Sequence, residues 1–166
     1  MRQLVSAVGG DQEKRHGIIL AKSIPAKKYH IQTGETVVSA KEKCPDLVLV
    51  PPNYDLYNRS SKALIKLLSE YTDKIEQYSI DEAFLDMTGC CQDPITTAYE
   101  IKNRVHAELG FTVNIGVSEN KLLAKMASDF TKPDHVHTLW KSEMSEKCGI
   151  FRWMICFMWA MPLYTS

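Results

Sequence analysis

The sequence predicts an α+β layered domain. Three observations carry that expectation. Short apolar, β-prone runs are bounded by proline, glycine and acidic turns. One long amphipathic helix is written into residues 56–71. The elements of the second half, residues 56–139, follow one another with the β-α-β-β-α-β flavour of ferredoxin-like sheets. At 166 residues the chain suffices for one domain with a sizeable core, or one and a fragment of another.

In chain order, residues 17–21 form a brief apolar run suited to a buried strand. Pro25 opens a short helix in a stretch that clusters Lys22, Lys27 and Lys28, which reads either as a solvated face or as a phosphate-binding patch. Val37, Ala40 and Cys44 recur at helical spacing before the stop at Pro45, and residues 47–50 form a strand closed by Pro51-Pro52. Leu56, Ala63, Leu64, Leu67, Leu68 and Tyr71 then make the clearest amphipathic stripe in the chain. Residues 75–80 and 83–87 read as two strands around the dipeptide Asp81-Glu82. Asp93-Pro94 has the form of an N-cap followed by proline at the first helical position, Ala98, Ile101, Val105 and Leu109 share one face, and Gly110 is the stop. A strand is expected over 111–117, where Phe111, Val113, Ile115 and Val117 alternate with smaller residues. Ser118 is expected to cap a last helix whose Leu123, Ala127 and Phe130 share a face before Lys132-Pro133.

Composition narrows the function classes. The chain is 45% hydrophobic and 24% charged, as in an ordinary soluble globular protein. Its 20 basic and 20 acidic residues cancel, so any site for a polyanion has to be local. Cys44, Cys90, Cys91, Cys148 and Cys156 show no C-x-x-C spacing and suit a reducing cytoplasmic setting, and residues 1–10 do not read as a signal peptide. His135 and His137 face one side of an alternating strand without a further suitably spaced ligand, which favours a structural or surface role. The adjacent Cys90 and Cys91 are expected in packing or in a loop.

The chemistry centres on Asp81 and Glu82. An unpaired acidic dipeptide in a core would cost several kcal/mol, so the pair is either solvated at a turn or neutralised by a cation. If the 112–117 strand lies beside the acidic hairpin, Lys121, Lys125 and Lys132 converge with the acids. Carboxylates that hold two Mg²⁺ ions, with lysines nearby for phosphate charge, are the apparatus of in-line phosphoryl displacement.

The run Ser79-Ile80-Asp81-Glu82-Ala83-Phe84-Leu85-Asp86 closely resembles the catalytic motif of the Y-family, lesion-bypass, UmuC/DinB-like DNA polymerases. The run from Asn114-Ile115-Gly116-Val117-Ser118 through Glu119-Asn120-Lys121 to Ser128, followed by Thr131-Lys132-Pro133, is similar to that family too, and the likeness spans roughly residues 7–141. The resemblance implies a ferredoxin-like palm sheet with helices on one face plus a small partial fingers subdomain. It divides the chain into a partial fingers-like segment at 1–52, a palm-like catalytic segment at 53–147 and an aberrant tail at 148–166. It implies DNA repair in the SOS response, with damaged-DNA synthesis by two-metal nucleotidyl transfer, Mg²⁺ as cofactor, and a DNA primer-template and deoxynucleoside triphosphates as partners. Asp81 and Glu82 take the place of two catalytic metal ligands, and Lys132 and Lys27 take nucleotide-binding places. Lys27 stands where the family usually offers arginine and so lacks the bidentate fork, Ile24 stands where tyrosine is common, and His30 stands at a usual glycine, where a positive φ would strain it. Ser79 and Asp86 are read as structural.

Two departures shape the functional expectation. The family's first strand carries an Asp that ligates both metals, whereas the only acids before Gly17 are Asp11 and Glu13, in a polar run of another type. The chain is thus expected to begin after that strand and to have little or no polymerase activity. The tail 148–166 carries two of the three Trp and is too short and interrupted to span a membrane. Read one base earlier, Trp153-Met154-Ile155 encodes two consecutive Asp, and Met158-Trp159-Ala160 encodes Val-Gly, a pattern similar to the family's entry into its thumb. A one-base slip near Lys147 is expected, against a partner-binding helix as the other reading. A polymerase fragment and a non-catalytic DNA- or protein-binding remnant are the two functions left at this point.

Overall fold

The computed structural model describes residues 4–10, 17–90 and 93–147. Asp11, Glu13, Cys91 and the tail 148–166, with the frameshift expectation attached to it, lie outside the described residues. The chain divides into two compact units, Met1–Tyr57 and Asn58–Ser166.

The first unit is built on a three-stranded sheet of order β2-β1-β3, with β1 at Ser6–Gly9, β2 at Ile19–Lys22 and β3 at Val48–Val50. β1 runs antiparallel to β2, with Ala7 opposite Lys22, and parallel to β3, with Ala7 opposite Leu49. Ala7, Ile19, Ala26, Ile31, Val37, Ala40, Cys44 and Leu47 form the core. Both helices of this unit start on side-chain caps. Ser23 Oγ accepts from the Ala26 N–H at 3.3 Å to open α1 (Ile24–Lys27), and Thr36 Oγ1 accepts from Ser39 N–H at 3.2 Å to open α2 (Val37–Lys43). Ser23 also accepts from Ser6 N–H at 3.0 Å, which ties the cap to the edge of β1. His30 does take a positive φ, 56°, and Lys43 donates to its carbonyl at 3.2 Å.

The second unit opens with α3 (Tyr54–Leu68), whose first turn belongs to the preceding unit. Its buried Leu67 and Leu68 join Ile101 and Val105 of the next helix in one apolar cluster. That helix, α4 (Pro94–Arg104), starts on Asp93, which accepts from the Ile95 and Thr96 N–H groups at 3.1 Å, and continues as one π-helical turn, Val105–Leu109, until Gly110 closes it at a φ of 76°. Arg104 locks the two helices together: it meets Glu70 at 2.8 Å, Glu108 at 2.7 Å and the Tyr71 hydroxyl at 3.1 Å.

The strands are shorter than the sequence patterns suggest. The acidic hairpin pairs β4 (Ile75–Gln77) with β5 (Ala83–Leu85) in antiparallel register, Glu76 opposite Phe84. The strand expected over 111–117 is β6 (Ile115–Val117) alone, since its parallel partner β7 (Val136–Thr138) begins only where His135 O accepts from Ile115 N–H. Phe111 and Val113 still pack on the apolar cluster. Among the described residues β6 pairs with β7 and not with the hairpin, so the expected ferredoxin-like sheet is present as two strand pairs on a shared helical layer. Around the β6–β7 pair, Ile115 points into the α4 cluster, while Gly116 points at α5 (Lys121–Ser128).

A second difference concerns the start of α5. Ser118 does not cap it; the Ser118 hydroxyl donates to Leu139 O at 2.5 Å, and Asn120 accepts from Leu123 N–H at 2.9 Å. The helix begins at Lys121, too far along the chain for Ser118 to reach the N–H groups of its first turn.

Two stability predictions follow from these contacts. A Cβ on Gly116 would lie 1.8 Å from the Ala124 carbonyl oxygen, so Gly116→Ala is expected to destabilise the second unit by about 2–3 kcal/mol in urea unfolding. At Asp93, the Thr96 hydroxyl and the Ile95 and Thr96 amides hold the carboxyl below its ordinary pKa. Its contribution is therefore complete above the unfolded-state value of about 3.9 and is lost as pH falls through the lower folded value. In the Asp93→Ala variant, thermal unfolding is expected to lose part of its acid dependence in that window.

Candidate metal and nucleotide site

The acidic turn is shaped by its own backbone and one hydroxyl. Tyr78 and Ser79 N–H both donate to Glu82 O, at 3.0 and 3.1 Å, which closes the hairpin around Asp81. The Ser79 hydroxyl donates to Asp81 Oδ1 at 2.7 Å, and Gln77 Nε2 bridges Ser61 Oγ at 3.0 Å and Ser79 O at 3.2 Å. Ser79 thus orients the exposed Asp81 carboxylate. Asp86 turns elsewhere, to Thr88 N–H at 2.9 Å and Lys74 at 3.7 Å, and the two Thr88 hydrogen bonds, with Lys74 beside it, hold its carboxyl below its ordinary pKa.

Three of the expected lysines come to this face. Lys125, midway along α5, pairs with Glu82 Oε1. One turn earlier, Lys121 pairs with Glu76 and lies 5.8 Å from the centroid of the Phe84 ring. Because Glu76 and Phe84 are cross-strand partners, one face of the hairpin meets both lysines while Ile75 and Leu85 go to the apolar cluster. Lys132 pairs instead with Asp129, at 2.7 Å, and Asp129 also lies 3.7 Å from Lys125. Burial pulls the Lys125 ammonium pKa down, but the Glu82 hydrogen bond and the charges of Asp129, Glu82 and Asp81 outweigh it and leave the value raised. Lys27, the remaining nucleotide-binding expectation, is exposed at the end of α1 in the first unit.

Two residues of this arrangement escaped the sequence reading. Asp129 was legible, four residues after Lys125 and three before Lys132, as the acidic member of two helical ion-pair spacings. Asn114 is visible in the sequence as a small residue of the 111–117 alternation and as the first residue of the family-like run that ends at Ser128, with no role attached. Its Nδ2 donates to Ser128 O at 3.0 Å and Thr131 O at 2.6 Å, and its Oδ1 accepts from His135 N–H at 3.2 Å. It fixes the loop that carries Lys132.

The donor set suits a hard divalent cation. Asp81 and Glu82 offer carboxylate oxygens at an accessible turn, and Mg²⁺ is commonly held by one or two carboxylates together with phosphate oxygens. Among the described residues no group of three or more His, Cys, Asp or Glu is placed to hold a metal ion. His135 and His137 do face one side, stacked at 5.6 Å between ring centroids, with Phe130 edge-on to His137 at 5.8 Å.

Known structures place this fold among the Y-family DNA polymerases. The chain shares its fold with the crystal structure of DinB from Sulfolobus solfataricus at a TM-score of 0.77 and 27% identity, over 89% of this chain and 44% of that one. The insertion ternary complex of Dbh DNA polymerase matches with the same TM-score, identity and coverage. DNA polymerase IV of Clostridium acetobutylicum is 46% identical over 165 residues, which is 98% of this chain and 39% of that protein. The model described as the impB/mucB/samB family matches residues 1–129, and the chain belongs to that family. It spans about two fifths of the length of the curated relatives it matches.

Asn114→Ala leaves two carbonyls and one amide without their side-chain partner. The expected cost is about 1–3 kcal/mol in chemical unfolding, with faster amide exchange at His135.

Proposed function

We propose that this chain carries the metal-holding and phosphate-holding part of a lesion-bypass DNA polymerase, acting in template-directed nucleotidyl transfer during damaged-DNA synthesis. The observation that carries this reading is the Asp81-Glu82 turn, held in shape by Ser79 and faced by the α5 lysines, in a chain of the impB/mucB/samB family. Residues 1–52 are taken as the partial fingers-like segment and 53–147 as the palm-like catalytic segment. The ternary complex among the structural matches supports a primer-template and a nucleoside triphosphate as partners. A cytoplasmic setting goes with this function; no helix among the described residues is long and apolar enough to cross a membrane.

In this reading Asp81 and Glu82 present oxygen ligands at the hairpin turn. Asp81 and Glu82 would hold Mg²⁺ at this turn, where it would supply charge neutralisation for an in-line phosphoryl displacement. Ser79 holds the Asp81 carboxylate in one orientation by donating to Oδ1 at 2.7 Å. Lys132 exchanges the Asp129 carboxylate for the triphosphate, and Lys27, in the first unit, is a separate nucleotide-binding candidate that offers a point charge without the two-pronged geometry of arginine. The family resemblance calls for a third carboxylate from a first strand, and the only acids of this sequence before Gly17 are Asp11 and Glu13.

Primer extension by this chain with Mg²⁺ is expected to yield no product above a metal-free blank, and robust incorporation would overturn that. Binding is expected to survive in part. Mg²⁺ with a deoxynucleoside triphosphate should raise the melting temperature, Asp81→Asn or Glu82→Gln should remove the Mg²⁺-dependent share of the shift, and Lys132→Met should weaken nucleotide affinity on the order of tenfold. A shift unchanged in all three variants would sink the assignment.

A further inference from the structure

Four side chains on one face of the second unit form a continuous line of alternating charge. Glu82 pairs with Lys125, Lys125 lies 3.7 Å from Asp129, and Asp129 pairs with Lys132 at 2.7 Å. The line joins the acidic turn at one end to the phosphate-facing lysine at the other. We infer that Lys125 is a built-in counter-cation that occupies Glu82 until a divalent cation arrives and then moves to Asp129. This rests on the reading of Asp81 and Glu82 as cation ligands.

The argument starts from position. α5 is held on β6 by backbone packing at Gly116, and Lys121 pins its first turn to the hairpin through Glu76, so the stem of Lys125 leaves a fixed helix beside the acids. Lys125 and Glu82 are each only 36% exposed in their side chains, whereas the Lys121–Glu76 pair is 61% and 55% exposed. An ammonium on Glu82 Oε1 and a dication on the same carboxylate repel each other, so the two compete for it. Asp129 provides the second seat: it stands four residues on from Lys125, on the same helical face. That seat is shared with Lys132. When Lys132 turns to an anionic ligand, Asp129 is left to Lys125 alone, and the cation site is released at the same moment that phosphate binds. The half-buried setting and the three surrounding carboxylates distinguish Lys125 from an ordinary surface ion pair, which contributes little.

Mn²⁺ titration of the full chain, read by the loss of free-ion electron paramagnetic resonance signal, tests this without any activity measurement. Lys125→Met and Lys125→Gln are expected to bind Mn²⁺ on the order of tenfold more tightly than the unaltered chain. Lys66→Met, which removes the same charge from an exposed position on α3, is expected to stay within about twofold, because a charge there is solvated and screened. In Lys125→Met/Glu82→Gln the gain is expected to vanish. Circular dichroism melting of each variant establishes that it is folded. Equal or weaker Mn²⁺ binding in both folded Lys125 variants, or an equal gain in Lys66→Met, overturns the counter-cation role while Glu82-dependent Mn²⁺ binding keeps the cation-site reading. Absence of Glu82-dependent binding in every variant overturns both.

Discussion

The arrangement of charge in the second unit depends on a single close approach. Residue 116 has no side chain, so the backbone of α5 lies directly against β6, with the Ala124 carbonyl where a Cβ would otherwise stand. That contact sets the height of α5 above the strand pair, and with it the reach of Lys121 and Lys125 towards the hairpin. On the other side of the same strand, Ile115 enters the cluster built by Leu67, Leu68, Ile101 and Val105. One tripeptide strand thus transmits the packing of α3 and α4 to the position of two lysines.

The charge balance of the whole chain takes on meaning at this scale. Net charge is zero, and at the acidic turn Lys121, Lys125 and Lys132 each have a carboxylate partner, with Asp81 as a further acid beside them. In the proposed function, a polyanion entering this site meets paired lysines, so its binding would proceed by exchange of partners. The net gain per contact is then a difference between two ion pairs, and it is more sensitive to geometry than to the number of lysines.

Much of this was legible in the sequence because the signals were local. Asp93-Pro94 and Gly110 mark helix ends by chemistry that acts within one turn, and each is found doing so. Leu64, Leu67, Leu68 and Tyr71 of the first stripe and Ile101, Val105 and Leu109 of the next face reappear in the core of the second unit, while Leu56 is exposed. What local patterns did not contain was partner choice. The alternation at 111–117 is real, yet only Ile115–Val117 has a neighbouring strand, so the apolar residues at 111 and 113 are buried without a ladder. Ser118 had the right chemistry for a cap, two residues too early, and its hydroxyl serves Leu139 instead. The candidate site divides in the same way. Asp81 and Glu82 stood out by their motif, whereas Asn114 matters through carbonyls and an amide at 128, 131 and 135, contacts that only the folded chain brings together.

The two strand pairs of the second unit have a mechanical consequence. Their backbones are hydrogen-bonded separately among the described residues, β4 to β5 and β6 to β7, while their side chains share one apolar cluster. Side-chain packing is non-directional and tolerates small sliding, whereas a backbone ladder fixes register. The acidic hairpin and the helix-bearing pair are thus joined by side-chain packing without a shared ladder, and the lysine-to-carboxylate pairs that cross between them, Lys121 to Glu76 and Lys125 to Glu82, act as detents that mark their relative position.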